Sequence, residues 1–310
     1  MKKNAIYPLI IGLSCLVTAC NADKVGEVDF DVHLRNSPSG IHAGDEVVFD
    51  FSGDPDYIVF WSGEDGHRYE YRNRSNVDVE ALTLTYSVMH RYGRAHTSDV
   101  LSILLSENFS ADYTKEGIEA ADWTVLSQSE DDTKEWWVPS STQSTAKQSG
   151  GDISMYKDRR FTIAFRYRLP APLTEHEQFP RIDIDPISLN KTTEGKVVSE
   201  KDPKSDLGFR FVRIDGPETK TSVDETGILF QPDNSTKPLN AEYWCISKQI
   251  DPSRIPADKG EPVRSLTVPS DSYTHVFEDA GTYRVTFVGR NANAWNCSEA
   301  VREIVVEVLD

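Results

Sequence analysis

The chain has 310 residues, a formal charge of −17 and 38% hydrophobic residues. With 50 acidic against 33 basic side chains, it is neither a nucleic-acid binder nor a protein that adheres to anionic membranes through surface charge. The length suits two domains, and short apolar runs between Gly, Pro, Asp and Ser, with no long helical period, predict an all-β protein.

At the start of the chain, Lys2 and Lys3 precede an apolar stretch over residues 6–17, which has signal-peptide length and is too short to span a bilayer. Leu16-Val17-Thr18-Ala19-Cys20 resembles a bacterial lipobox, with small Ala19 directly before the cysteine. The resemblance implies a lipoprotein signal peptide at 1–19, a lipidated tether at 20–25, and an outer-membrane protein held by lipid alone and facing the cell exterior. Asp23, soon after Cys20, is similar to the surface-export signal of Bacteroidota lipoproteins. Of the 4 cysteines, Cys15 leaves with the signal peptide and Cys20 carries the lipid. Cys245 and Cys297 remain, either as a disulfide, which an oxidising compartment permits, or as two reduced, buried thiols.

Residues 47–74 read as two strands and the start of a third. Val47, Phe49 and Phe51 alternate with Val48, Asp50 and Ser52, the period of a half-buried strand. SGDPD turns the chain. Residues 57–61 are a continuous apolar run, short enough for a strand buried on both faces, and SGEDG leads to a new extended segment at 68–71. An immunoglobulin-like sandwich needs about seven strands, and the pattern stops near Arg74. At the other end of the chain, Tyr273, Phe277, Gly281, Thr282, Tyr283 and Val285 match the Y-x-x-F-x-x-x-G-T-Y-x-V pattern that closes a PKD domain. The opening half has the G-D-x-V turn at Gly44, Asp45 and Val47, with FWSGEDG in place of the W-D-F-G-D-G signature. The resemblance implies one PKD/immunoglobulin-like sandwich made of residues 26–95 and 267–310, interrupted by an inserted domain at 96–266.

Between those halves, Val77, Val79, Leu82, Leu84 and Tyr86 suit an irregular strand leading out of the sandwich. Short strands are then expected at 100–105, 135–139, 161–169, 180–189, 207–214 and 228–232, the sign of a β-sandwich or jelly roll. Leu101, Ser106, Phe109, Ala121, Trp123, Thr124, Phe161, Ile163, Ala164, Phe165, Tyr167, Tyr243, Trp244, Ile246 and Ser247 fall in an order that resembles the galactose-binding-like jelly rolls of Bacteroidota surface lipoproteins. Lipobox, split sandwich and jelly roll together resemble one family, domain of unknown function 5017, found in lipoproteins encoded beside starch-utilisation-like outer-membrane transporters. Membership implies a glycan-binding accessory protein whose partners are a glycan, a TonB-dependent outer-membrane transporter and its paired lipoprotein.

The residues carry no G-x-S-x-G elbow, H-E-x-x-H zinc motif or phosphate-cradling glycine loop, so no catalytic residue and no cofactor is assigned. Asp131-Asp132 and the Asp183/Asp185 pair are read as solvated carboxylates. Calcium could use such oxygens, but no EF-hand spacing is present. His67 and His176 are isolated and read as surface residues. Aromatic side chains lead further, because sugar rings pack their C–H faces on indole and phenol. Trp136 and Trp137 are expected in a strand, one facing the core and one facing solvent as a ligand platform. Trp295, in the loop NANAWNCS, is the second ligand-binding candidate. Trp61, Trp123 and Trp244 are assigned to the core. The reading is a non-catalytic glycan-binding lipoprotein, with an adhesin or assembly protein acting through its sandwiches as the alternative.

Overall fold

The computed structural model describes residues 25–35, 40–93, 100–126, 131, 133–139, 141–169, 177–235 and 240–310. Cys15, Cys20, Asp132 and His176 lie outside the described residues. The chain forms two units, one made of the described residues up to Arg74 with Ala257–Asp310, the other of Ser75–Pro256. Both are built of β-sheets whose strands pair antiparallel, save for the short parallel contact of Ile41–His42 with Val308–Leu309, so the fold is all-β.

In the first unit, strand Glu46–Gly53 lies between Phe30–Leu34 and Ser272–Val276. The facing sheet runs Glu261–Arg264, Tyr57–Trp61, Gly281–Ala292, Cys297–Leu309, with Ile41–His42 at its edge. Val47 and Phe49 turn inward and are buried, as are Ile58 and Phe60 across from them. The facing partners come from the far end of the sequence: Phe277, Val285, Phe287, Val306 and Val308 complete the same apolar cluster. Gly53 closes the first strand at φ +86°, and a Cβ there would stand 2.0 Å from the carbonyl oxygen of Asp29. Only glycine fits. The third extended segment expected at 68–71 is instead a 3-10 turn, Tyr69–Tyr71. The Arg72 guanidinium lies 3.8 Å from the centre of the Tyr69 ring, and the Arg68 amide is taken by Asp258 (2.8 Å), so the backbone is not free to continue as a strand.

The second unit stacks two sheets. One has the order Ser222–Val223, Ile228–Phe230, Arg181–Thr193, Ala81–Tyr92, Lys147–Asp152, with Lys196–Glu200 paired to Arg181–Thr193. The other runs Arg210–Asp215, Ala241–Ile246, Thr162–Leu169, Leu101–Ser106, Thr124–Val125. The inward side chains of both sheets form one core that includes Leu84, Tyr86, Val88, Ile103, Phe165, Tyr167 and Tyr243. Residues 75–93, expected with the first sandwich as part of 26–95, belong here. Leu82, Leu84, Tyr86 and Val88 alternate without a break, and their strand pairs with Arg181–Thr193 on one side and Lys147–Asp152 on the other. Conversely, Glu261–Arg264 pairs with Tyr57–Trp61 in the first unit, so that unit resumes at Ala257, upstream of the expected residue 267.

Candidate functional site

Strand alternation decides where the tryptophans go. Segment 135–139 is not a strand: Trp136 has φ +57°, and its amide donates to Gly150 O (3.2 Å). The left-handed residue cancels the alternation, so neither indole faces solvent. Trp136 is 7% and Trp137 4% exposed, and both belong to the core. The Trp137 carbonyl is held by Ser149 Oγ (2.8 Å) and the Tyr86 hydroxyl (3.4 Å). The expected platform at this pair is therefore absent. Trp61 is buried as expected. Trp295 stands 75% exposed on a hairpin tip.

Trp244 is buried as expected, at 4% exposed, whereas Trp123, also expected in the core, is only half-buried; the two meet on the outer face of the second sheet. In Ala241–Ile246, Tyr243 and Cys245 face the core, so Glu242, Trp244 and Ile246 point to the outer face of the sheet. The cross-strand register sets them in rows. Val212, Trp244, Arg166 and Ser102 form one row, and Glu242 pairs with Arg168 in the next. That outer face is partly apolar, through Leu104, Ala164, Trp244 and Ile246, and is covered by the segment between Leu101–Ser106 and Thr124–Val125. Helix Lys115–Glu119 lies in this cover, its first turn capped by Thr114 Oγ1 accepting from Gly117 N (3.2 Å). Asn108 and Asp122 close the base of the cover reciprocally at 2.9 Å, and the Tyr113 hydroxyl donates to Ser247 O (3.1 Å). Burial raises the pKa of that phenol against a smaller opposing effect of Arg210, whose guanidinium sits 4.7 Å from the ring centre. The cover is thus fixed at several points.

Where the cover ends, a cleft of about 300 Å³ opens, lined by Leu104, Ile118, Trp123, Val125 and Trp244, with Arg166, Glu119 and Glu242 as its charged members. The indoles of Trp123 and Trp244 are 5.1 Å apart at 53°. Trp244 is buried and its Nε1 donates to Glu242 Oε1 (2.8 Å); Trp123 is half-buried and its Nε1 donates to Ile118 O (3.0 Å). Both ring positions are therefore set by hydrogen bonds. Arg166 lies 5.6 Å from the Trp244 ring and donates to Ser102 Oγ (3.2 Å). Glu242 Oε2 is 3.8 Å from Arg168 Nε, and a smaller hollow of about 140 Å³, lined by Arg168, Asp215, Asn240 and Glu242, adjoins it. An apolar wall with a few fixed charged groups is the make-up of small-molecule sites, and the volume lies at the low end of the ~300–1,000 Å³ such sites span. The half-buried Trp123 ring, backed by the buried Trp244, suits the C–H face of a pyranose, while Arg166 offers donors and the two glutamates acceptors for hydroxyls.

The Asp183/Asp185 pair lies on another hollow, about 280 Å³, with Arg91, Arg181 and Asp224. Asp183 is bound by Arg181 (2.8 Å) and by Arg91, so its charge is met within the chain. Among the described residues, no three His, Cys, Asp or Glu side chains are grouped to hold a metal. Cys245 and Cys297 are both free, Cys245 buried in the second unit and Cys297 exposed in the first, which removes the disulfide alternative. The sequence motifs A-x-W-T and Y-W-x-I-S did contain Trp123 and Trp244. The signal that sets them apart is Arg166 and Arg168 in FRYRL, charges at period two that mark the outer face on the neighbouring strand.

A family model described as Domain of unknown function (DUF5017) matches residues 19–202, more than half of the chain. The match starts just before Cys20, includes Trp123 and Arg166, and ends before Glu242 and Trp244. No curated protein and no solved structure matches.

Proposed function

The chain belongs to the DUF5017 family, and from that membership we propose that it is a non-catalytic lipoprotein of the outer-membrane surface. It captures neutral glycan in the Trp123–Trp244 cleft for a neighbouring uptake transporter. The observation that carries this reading is the cleft: two indoles at 5.1 Å beside Arg166, Glu119 and Glu242. Charged groups held by neighbours bind hydroxyls without reorganising, and the acidic chain disfavours polyanionic sugars. The lipobox supports the anchor at Cys20. The test is a glycan array probed with the soluble chain from Asn21 and with its Trp123→Ala variant. Retention of neutral oligosaccharides by the first and not by the second is expected. A wild-type chain that retains none overturns the reading.

The adhesin reading is favoured by a separate feature. Strand Cys297–Leu309 is paired along one side by Gly281–Ala292, but on the other, among the described residues, it meets Ile41–His42 only at Val308 and Leu309. A free edge of this length can accept a partner strand. If binding to cells survives Trp123→Ala but is lost when prolines replace Val301 and Val305, this second reading holds.

A further inference from the structure

The strand registers of the first unit place four loops at one end of its sandwich. Phe30 pairs with Gly53, and Asp54 N donates to Asp29 O (3.1 Å), so the chain enters the sandwich beside the turn at 54–56. Tyr57, just after that turn, pairs with Arg290, close to the hairpin tip at 293–296. Asp56 ties the two together, donating its amide to Asn291 Oδ1 (2.9 Å) and accepting from Ala292 N (3.2 Å). Arg264, opposite Ile58, bonds Asp54 (2.7 Å) and starts the turn Ser265–Val268, which returns through Asp271 O, bonded to Phe51 N (2.8 Å).

Among the described residues, that end carries the most exposed apolar side chains of the unit's loops. Trp295 is 75%, Leu266 65% and Val268 62% exposed, and Tyr57 is also exposed. Scattered surface apolar residues are ordinary, but these stand on the tips of turns locked by backbone bonds. Ser265 and Val268 exchange two hydrogen bonds of 3.1 Å, and Asn293 Oδ1 accepts from the amides of Trp295 (2.9 Å) and Asn296 (2.8 Å). Of the other exposed apolar residues described in the unit, Val301 and Val305 lie between glutamates of the edge strand and Leu309 lies at its end.

We propose that this end of the first unit docks on the lipid bilayer, with Trp295, Leu266 and Val268 entering the headgroup region. The inference rests on the lipid anchor at Cys20 contained in the functional reading. Eight residues lie between Cys20 and Asp29, where the chain enters the sandwich, and an extended chain spans at most about 3.6 Å per residue. The end at which the chain enters the sandwich therefore stays within roughly 32 Å of the acyl anchor. Tethering makes the contact intramolecular, so a weak preference of each side chain for the interface suffices. Indole suits that depth, having an apolar body and a polar N–H. The carboxylates nearby are Glu27, Asp29, Asp54, Asp56 and Asp271, with Arg264 between Asp54 and Asp271 (2.7 and 3.7 Å). Net charge therefore gives no attraction to anionic lipid, and the occupant is an uncharged, zwitterionic interface.

Five of the 6 tryptophans are buried or half-buried, so lipid-borne quenchers report Trp295. The full lipidated chain is reconstituted into phosphatidylcholine vesicles with plain or brominated acyl chains, beside its Trp295→Phe variant. Bromination should quench the wild-type emission by the share that Trp295→Phe removes, and leave the variant unchanged. A Leu266→Ser/Val268→Ser chain should lose most of that quenching. A chain that labels with palmitate and floats with the vesicles, but whose emission ignores bromination, overturns the docking and leaves the anchor standing. Protection of Trp295 from acrylamide without bromine quenching means a protein occupant and also overturns it. A chain that neither labels nor floats removes the anchor and this inference with it.

Discussion

The ring of Phe49 lies 5.0 Å from the ring of Phe287, although the entire second unit falls between them in sequence. Phe60 and Phe51 complete the group at 5.1 and 5.4 Å from Phe287. The first unit therefore has no core until both ends of the chain are present. Phe287→Ala should cost about 3–5 kcal/mol through the lost contacts and the cavity. The measurement is a two-transition thermal melt: one transition should fall steeply while the other, from the second unit, stays in place. A single transition that moves as a whole would contradict separate cores.

A related outcome concerns excision. Asp258 N donates to Tyr71 O (3.3 Å), so the points where the chain leaves and re-enters the first unit are close. Residues 25–74 joined to 257–310 through a short Gly/Ser linker should fold and melt cooperatively. Residues 25–74 alone should not, having lost Phe277, Val285, Phe287 and Val306 from their core. Far-UV circular dichroism during heating distinguishes the two.

Strand content was legible because period-two alternation survives wherever one face is buried, as in Val47 to Phe51 and Leu82 to Val88. The boundary at 74/75 was less legible, because an alternating strand shows that it needs an opposing sheet without showing which one. The Trp136–Trp137 error has a local cause. Alternation breaks at Trp136 because its φ is positive, a conformation rare enough outside Gly, Asn and Asp that the sequence does not announce it. The candidate cleft was missed because its two indoles come from segments 121 residues apart in number, 123 and 244. Their meeting depends on the Lys115–Glu119 helix and its flanks folding back over the sheet.

Acid should weaken the second unit. Asp224 accepts from the amides of Thr226 (2.9 Å) and Gly227 (3.0 Å), and Asp233 from the amide and hydroxyl of Ser235 (2.9 and 2.8 Å). These bonds hold both pKa values below the ordinary carboxylate range. A lowered folded pKa means that the unfolded chain takes up the proton first as pH falls. The stabilisation is complete above the unfolded value of about 3.9 and disappears as pH drops through the folded one. Melting temperature should be flat near neutrality and decline below roughly pH 4. The Asp224→Asn/Asp233→Asn chain should be less stable at neutral pH but decline more gently. Parallel curves would show that these turns do not contribute to the acid sensitivity.

The two thiols should differ by orders of magnitude in reactivity. Cys245 is fully buried between Phe211 and Phe165 in the cross-strand register, and burial pushes its pKa up. Cys297 is exposed at the start of its strand. In the chain from Asn21, a thiol-reactive chromophore should label Cys297 within the dead time of mixing and Cys245 only after denaturation. Mass spectrometry without reductant should show no crosslink. Recovery of a Cys245–Cys297 peptide would contradict the structure.

The tryptophans of the second unit should separate into two kinds when replaced singly by alanine. Trp136 and Trp137 are packed within the main core, so each truncation should cost about 3–5 kcal/mol and lower the melting temperature of that unit. Trp123 lies outside that core, against Phe109 (5.5 Å) and Trp244 (5.1 Å). It is half-buried, and its removal deletes only part of the cover, so the melting shift should be clearly smaller. The same substitution removes one wall of the cleft, and glycan retention on an affinity gel should be abolished. Arg166→Lys provides the polar counterpart. It keeps the charge but loses the planar fork that reaches Ser102 and lies over Trp244, so retention should fall several-fold with the melting curve unchanged. If Trp123→Ala and Arg166→Lys both retain glycan as well as the wild type, the sugar binds elsewhere on the chain. If Trp136→Ala or Trp137→Ala loses retention while melting normally, burial has been misassigned at that residue.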